Sequence, residues 1–548
     1  MNDALGARGP ADPRRWITLA IAVMATAIIL IDNTVLTVAI PTILRDFHTD
    51  LPSLQWVITG YALTFATFLI IGGRLGDIFG HRRTFMVGTA LFGTGSLLAS
   101  LSTSVPTLIV GEAVVEGVGA ALMLPATLAI LSNTFEGHER PTAFAAWGAV
   151  AGAAGAFGPL LGGFLTTNYS WRWSFRINVI IAPVTIVGAL VFMSQDAPRS
   201  EHLRVDVAGA AMVAVGTLLL VFGLSEGATY GWFRPVERVS IAGASLWPRR
   251  WPVSVIPVAF GAAAVLLWAF WVVERSKERR DAGPLFEFGQ LRHRGFRYGL
   301  ITVGIQSMGT FGLIFVLPVF LQNGKHLSAE DNGLWLFPLG MSLMIGSHIG
   351  GVLTRRIGAT AVARTGLLLA TTGLLYIALR LSPSTGFVDL LPGFLCYGTG
   401  AGFAASQLTN VILSDVPRDK AGVASGANST GRQVGAALGV AVLGSLLSAE
   451  TIRHAAAGIR HAPALPAGLR VQALSDLHAK GVNFAPPAGT PPAEVQVLDR
   501  VMRSALSAGA RPALLFAASA LAFASVLSLL IPRVSQVAPA TATDHAGS

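Results

Sequence analysis

Three carboxylates and one guanidinium interrupt stretches that are otherwise apolar. Asp32 lies in Leu30-Ile31-Asp32-Asn33-Thr34-Val35-Leu36, and Glu112 and Glu116 in Gly111-Glu112-Ala113-Val114-Val115-Glu116-Gly117. Arg432 follows Ser429-Thr430-Gly431. An ionised carboxylate among apolar side chains costs several kcal/mol, so such a group takes up a proton and can exchange it near neutral pH. Glu112 and Glu116 are four residues apart and share one helix face. Counted from the outer helix ends at about 1.5 Å per residue, Glu112 falls about 9 Å deep, Glu116 about 15 Å and Asp32 about 13 Å. The three acids can share one level, and close carboxylates cannot all ionise cheaply. The chemistry this suits is carrying protons. Three alternatives stay open: Asp32 is a permanently paired structural acid, Glu112 snorkels at the outer interface, or Arg432 snorkels at the cytoplasmic end instead of balancing the acids or meeting an anionic substrate group.

Long apolar helices must hold these groups. The chain has 548 residues, 52% hydrophobic and 12% charged, with mean hydropathy +0.61. Soluble domains carry about 25% charged residues, so this is the composition of an integral membrane protein. No polar stretch is long enough for a separate catalytic domain, and no nucleophile–base pattern stands out, so an enzyme is not expected. The net charge of +10 reads as Lys and Arg collected in cytoplasmic loops, not as a nucleic-acid surface. One cysteine, Cys396, excludes an intrachain disulfide and a cysteine-based metal site. No His/Cys/carboxylate group has metal spacing along the chain and no Walker loop occurs, so neither a metal nor a nucleotide is expected.

Apolar runs bounded by charges, Pro and Gly place fourteen helices near 17–40, 53–72, 84–104, 106–131, 141–166, 177–194, 206–226, 253–273, 297–322, 333–353, 361–381, 386–412, 422–448 and 511–532. An even number puts both chain ends on one side. The Arg275–Arg280 cluster, Arg292, Arg294, Arg297, Arg355 and Arg356 fall on that side, which makes it cytoplasmic. The expected division is a cytoplasmic tail (1–16), a six-helix bundle (17–194), two further helices (206–273), a second six-helix bundle (297–532) with a long extracytoplasmic loop (449–510), and a cytoplasmic tail (533–548).

The densest pattern joins the second and third helices: Gly73-Arg74-Leu75-Gly76-Asp77-Ile78-Phe79-Gly80-His81-Arg82-Arg83. Asp77, near a helix C-terminus, meets the negative end of the macrodipole and needs a cation or another helix's N-terminus. Arg82 and Arg83 are within reach. Gly73 and Gly80 permit close approach and a sharp turn. The pattern G-x-L-x-D-x-x-G-x-R-R resembles the loop signature of the major facilitator superfamily, where it braces the cytoplasmic side during alternating access. A reduced copy, Gly351-Val-Leu-Thr-Arg355-Arg356-Ile-Gly358, joins the tenth and eleventh helices, with Arg355 where the first copy has Asp77. The copies stand eight helices apart, where a plain six-plus-six duplication would give six. The helices near 206–226 and 253–273 are therefore read as insertions between two parallel halves.

Further runs narrow the resemblance. Gly148, Gly152, Gly155, Gly158, Pro159, Gly162 and Gly163 form a small-residue helix face that permits close helix contact, with Pro159 expected to bend it. The run is similar to the antiporter motif of exporters in this superfamily. The stretch around Asp32 looks like the first-helix motif of the fourteen-helix drug:proton antiporter family, in which that acid is implicated in transport. The glycines after Glu112 align with the family's R-x-x-Q-G-x-G-A-A pattern, but Ala113 stands at the Arg position and Glu116 at the Gln. Ser170-Trp171-Arg172-Trp173 is also family-like, its tryptophans read as interface anchors. His348 and Glu226 are candidates for an assisting role.

The resemblance implies an all-α membrane protein with the major facilitator fold, fourteen transmembrane helices arranged as two six-helix halves plus two inserted central helices. It implies a monomer in the lipid bilayer of the inner membrane, exporting small hydrophobic, often cationic molecules against an inward flow of protons, with no cofactor beyond the proton. The rivals are export of one native metabolite, envelope lipid or amino acid, and a non-transporting sensor on a transporter fold.

Overall fold

The computed structural model describes residues 13–48, 51–136, 139–195, 206–236, 239–241, 244–248, 251–280, 284–417, 420–480, 484, 486–487 and 489–533. Most of the tails expected at 1–16 and 533–548 lies outside them. The N-terminal half comprises α1 (Arg15–Phe47), α2 (Leu51–Phe79), α3 (His81–Ser100), α4 (Val105–Leu108), α5 (Gly117–Thr134), α6 (Arg140–Asn168) and α7 (Trp173–Phe192). A π-helical stretch, Ile109–Glu116, makes α4 and α5 one continuous rod. Next come α8 (Val207–Tyr230) and α9 (Val255–Arg279). The C-terminal half comprises α10 (Arg294–Val319), α11 (Ala329–Ile357), α12 (Ala359–Arg380), α13 (Phe387–Ser414), α14 (Ala421–Arg460), α15 (Ala467–Lys480) and α16 (Pro492–Leu527).

Every stretch expected to span the membrane falls on one of these rods. Helices satisfy their own backbone hydrogen bonds, the requirement for crossing lipid. Side chains supply some starts: Asp206 accepts the Gly209 N–H at 2.9 Å, and Ser328 accepts the Asp331 N–H at 3.0 Å. Among the described residues, eleven helical segments are long and apolar enough to cross a membrane. The helices α3, α6 and α13, rich in Gly, Ala, Ser and Thr, are not among them, so apolarity alone does not return a count of fourteen.

Two local features differ from expectation. Between α8 and α9 the all-helical pattern breaks, and β1 (Val239–Ile241) pairs antiparallel with β2 (Ala244–Trp247). The connection 449–510 is mostly helical, because α14 runs on to Arg460, α15 follows, and α16 begins at Pro492. Ala455, Ile459, Leu477, Leu498, Met502 and Leu506 give it a core of its own. The four-residue spacing of Ala455 and Ile459, and of Leu498 and Met502, is an amphipathic helix signal hidden by the Ala- and Pro-rich composition.

Helices α8 and α9 pack on each other, and α8 leans against α2 and α14. The halves meet mainly through α6 on α11 and α2 on α14. At the end carrying Gly73–Arg83 they share one core, which runs from Phe85, Phe144 and Trp147 to Phe296, Leu408 and Val423. At the other end each half has a separate core, Leu36, Ile43, Leu54 and Trp171 in one and Leu317, Phe320, Leu390 and Leu447 in the other. The halves still touch beyond the shared core, where Phe157 of α6 meets Phe337 of α11 with ring centres 5.6 Å apart.

Candidate functional site

The three acids converge inside the N-terminal half. Asp32 comes from α1, while Glu112 and Glu116 come from the π-helical stretch. One carboxylate oxygen from each lies within 4.8 Å of the others, and their exposures are 2%, 1% and 0%. Glu112 is therefore no snorkelling side chain. The π turn, a feature often found at functional sites, carries both glutamates. Helix α3 can lie against it because residue 95 is glycine: a Cβ there would stand 2.5 Å from the Glu116 nitrogen and 2.6 Å from the Gly111 oxygen.

Asn178 on α7 ties the cluster together, its Nδ2 donating to Asp32 Oδ1 at 2.8 Å and to Glu116 Oε1 at 3.2 Å. Tyr61 on α2 is buried within electrostatic range of all three acids. The acids alone marked this site in the sequence. Asn178 had a weak signal, as an amide inside the apolar run Ile177–Ile181, and Tyr61 had none. Among the described residues this is the one acid group close enough to grip an ion, which spacing along the chain could not reveal.

A second constellation locks the joined end. Asp77 accepts the backbone N–H groups of Gly422 (Oδ1, 2.9 Å) and Val423 (Oδ2, 2.9 Å) in the first turn of α14. A carboxylate at a helix N-terminus meets unpaired N–H groups and the positive end of the dipole. The partner expected from either arginines or a helix start is thus the helix start, with His81 Nε2 at 3.5 Å beside it. Arg82 instead donates to the carbonyls of Ala189 and Leu190 at the end of α7, and Arg83 is exposed. Gly73 is needed because a Cβ would fall 2.2 Å from the Gly422 oxygen. Gly80 starts α3 at φ 109, a backbone region that favours glycine.

The reduced copy works the matching interface. Gly351 packs on Ala145 and Pro141 of α6, Arg355 donates to Thr142 Oγ1 at 2.9 Å, and Gly358 starts α12 at φ 85. Arg364 mirrors Arg82, donating to Ser528 and Ile531 carbonyls past the end of α16. Sequence reasoning overlooked it.

A family model of the Major Facilitator Superfamily matches residues 22–233 and 239–440. This chain belongs to the Major Facilitator Superfamily. It is 33% identical to the puromycin resistance protein pur8 of Streptomyces alboniger, over 83% of this chain and 86% of that protein. It is 29% identical to the multidrug resistance protein Stp of Mycobacterium tuberculosis, over 79% and 76%. Among solved structures, the human organic anion transporter MFSD10 superposes with a TM-score of 0.58 at 13% identity, covering 94% of this chain and 100% of that one. That likeness shows a major facilitator fold.

Within this major facilitator protein the small-residue run of α6 is an interface. A Cβ on Gly148 would stand 2.5 Å from Ser347 Oγ of α11, and one on Gly162 would stand 3.0 Å from Val35 Cα of α1. Gly158 is buried, whereas Gly152, Gly155, Pro159 and Gly163 lie outside the residues whose side chains are described. Ala113, at the family's Arg position, is buried, and Gly60 faces it so closely that a Cβ there would stand 2.9 Å away. Arg432 holds its guanidinium 5.9 Å from the ring centre of Trp147 in the opposite half, a cation–π contact. Trp147 in turn donates to Thr26 Oγ1 of α1 at 3.1 Å. One Arg432 nitrogen, Nη1, is buried without a hydrogen-bond partner. Trp171 is not an interface anchor: it is buried, donates to Asp46 at 2.7 Å and carries the Arg172 guanidinium on its ring. His348 is exposed on α11.

Proposed function

We propose that this multi-pass membrane protein is a proton-coupled secondary exporter of hydrophobic, cationic small molecules. It sits in the cytoplasmic membrane with both chain ends inside, works by alternating access as a monomer, makes no covalent bonds and uses no cofactor beyond the proton. The observation that carries the reading is the grouping of Asp32, Glu112 and Glu116 within 4.8 Å, in apolar surroundings and tied by Asn178. Carboxylates that close cannot all ionise, so the cluster keeps a proton until a positive charge or water reaches it. Asp77 supplies a lock that differs between the two states, since its contacts to α14 exist only while the motif end is joined. The resistance functions named for the relatives support export as the direction.

Substrate-dependent proton flux into proteoliposomes carrying a trapped pH dye tests this. Export that continues undiminished after the proton gradient is collapsed would end it. A second reading, export of one native compound, is favoured by a relative named for a single antibiotic, puromycin. Efflux profiling of a deletion strain separates the two, since one compound or many will accumulate.

A further inference from the structure

At the end that carries Gly73–Arg83, α10 and α16 pack along one another, and the 3₁₀ turn Ser528–Leu530 that follows α16 reaches the start of α10. Between them lies a cleft of about 350 Å³, walled by Arg294, Arg297 and Tyr298 on one side and by Leu529, Leu530 and Ile531 on the other. Tyr298 holds Arg297 in place: its phenol oxygen accepts from Nη2 at 2.9 Å, and its ring centre stands 4.5 Å from the guanidinium carbon. Carbonyls that would repel an anion here are already taken, because Arg364 donates to those of Ser528, Leu529 and Ile531 at 3.2, 3.3 and 2.7 Å. Arg533 stands within electrostatic range of Arg364. One carboxylate is near the helix start, that of Asp415, which accepts the Phe296 N–H at 3.3 Å. Among the described residues neither Arg294 nor Arg297 pairs with an acid. The start of α1 differs, for there Arg15 meets Glu139 at 2.7 Å. One turn further into the helices, Ile301 on α10 and Val526 on α16 are exposed apolar side chains.

We infer that this cleft holds the head group of an anionic phospholipid, its phosphate between Arg294 and Arg297 and its acyl chains along Ile301 and Val526. Planar guanidinium groups offer phosphate oxygens paired N–H donors, and basic pockets between helices at the membrane surface suit such head groups. Charge selects among lipids, since a zwitterionic head brings an ammonium against two guanidiniums. Size agrees: at about 30 Å³ per water-sized group the cleft takes about twelve heavy atoms, and a phosphoglycerol head has about ten. The apolar neighbours select a lipid over a soluble phosphate, because Leu529 and Leu530, also exposed, would otherwise face water. The site stands apart from the acid cluster and rests on the export reading only for the leaflet, which is the inner one when both chain ends are inside.

The test is native mass spectrometry of the full-length protein with dioleoylphosphatidylglycerol as probe and dioleoylphosphatidylethanolamine as its comparison. At equal concentration the anionic lipid should be retained at least fivefold better, and Arg294→Gln with Arg297→Gln should abolish that preference. Arg279→Gln with Arg280→Gln, exposed at the end of α9, removes equal charge away from the cleft and should keep it. Leu530→Trp, which crowds the cleft and leaves both arginines, should weaken retention at least fivefold. A phosphatidylglycerol with a diazirine in its head should label 294–298 and 529–532 of the wild type, a result that needs no variant to fold. Wild-type preference in well-folded cleft variants, equal loss in the α9 variant or labelling elsewhere would each overturn the site. Equal retention of the ethanolamine lipid would overturn its selectivity for anionic heads, and displacement by millimolar inorganic phosphate would reassign it to a soluble anion. Binding is read without transport, so no outcome here bears on proton coupling.

Discussion

Asn178 stands 2.8 Å from Asp32 through an amide nitrogen that also reaches Glu116 at 3.2 Å. It binds α7 to α1 and to the π turn, and so sets how near the acids stand. A hydrogen bond to a charged group is worth about 1.5–3 kcal/mol, roughly a ten- to hundredfold change in an equilibrium. Asn178→Leu should therefore lower substrate-driven proton flux at least tenfold in proteoliposomes, in protein that still elutes as a single species.

Glu116→Gln keeps the size and hydrogen-bonding shape of the side chain but removes its proton. Export should lose its dependence on the proton gradient while substrate binding persists. Should the variant move protons and substrate together at the wild-type rate, Glu116 has no place in the coupling site.

Asp77 caps α14 from the opposite half, and a capping side chain contributes about 0.5–2 kcal/mol. Asp77→Ala should shift the ratio of joined to parted motif ends by roughly 2- to 30-fold. Spin labels at Phe79 and Ile357, both exposed near that end, would show a longer-distance population absent from the wild type. An unchanged distance distribution would mean that the lock lies elsewhere.

Gly73 and Gly422 allow backbone to touch backbone between α2 and α14: a Cβ on Gly73 would lie 2.2 Å from the Gly422 oxygen, and one on Gly422 would lie 2.3 Å from the Gly73 oxygen. Neither obstacle is a movable side chain. Gly73→Ala should hold the motif end apart, with transport falling at least tenfold at normal expression. The same labels at Phe79 and Ile357 check the cause. Ala at 468, where nothing lies within 4 Å, serves as the harmless control.

Helix positions were readable along the chain, because run length, charge at the ends and capping residues act locally. The Gly73–Arg83 pattern likewise pointed to the superfamily. Which groups face one another was not readable. Asp77 could have turned to Arg82 or to a helix start, and only the crossing of α2 and α14 brought Gly422 and Val423 to it. Glu112 could have reached the outer interface, but the π turn and the close approach of α3 bury it. Asn178 joined Asp32 and Glu116 from residues far along the chain. Hydropathy is a sum over neighbours in sequence, whereas the meeting of carboxylates depends on the rotation and crossing of separate helices. The amino-acid order alone therefore determined a membrane bundle with buried acids, and tertiary packing decided that three of them and an amide make one site.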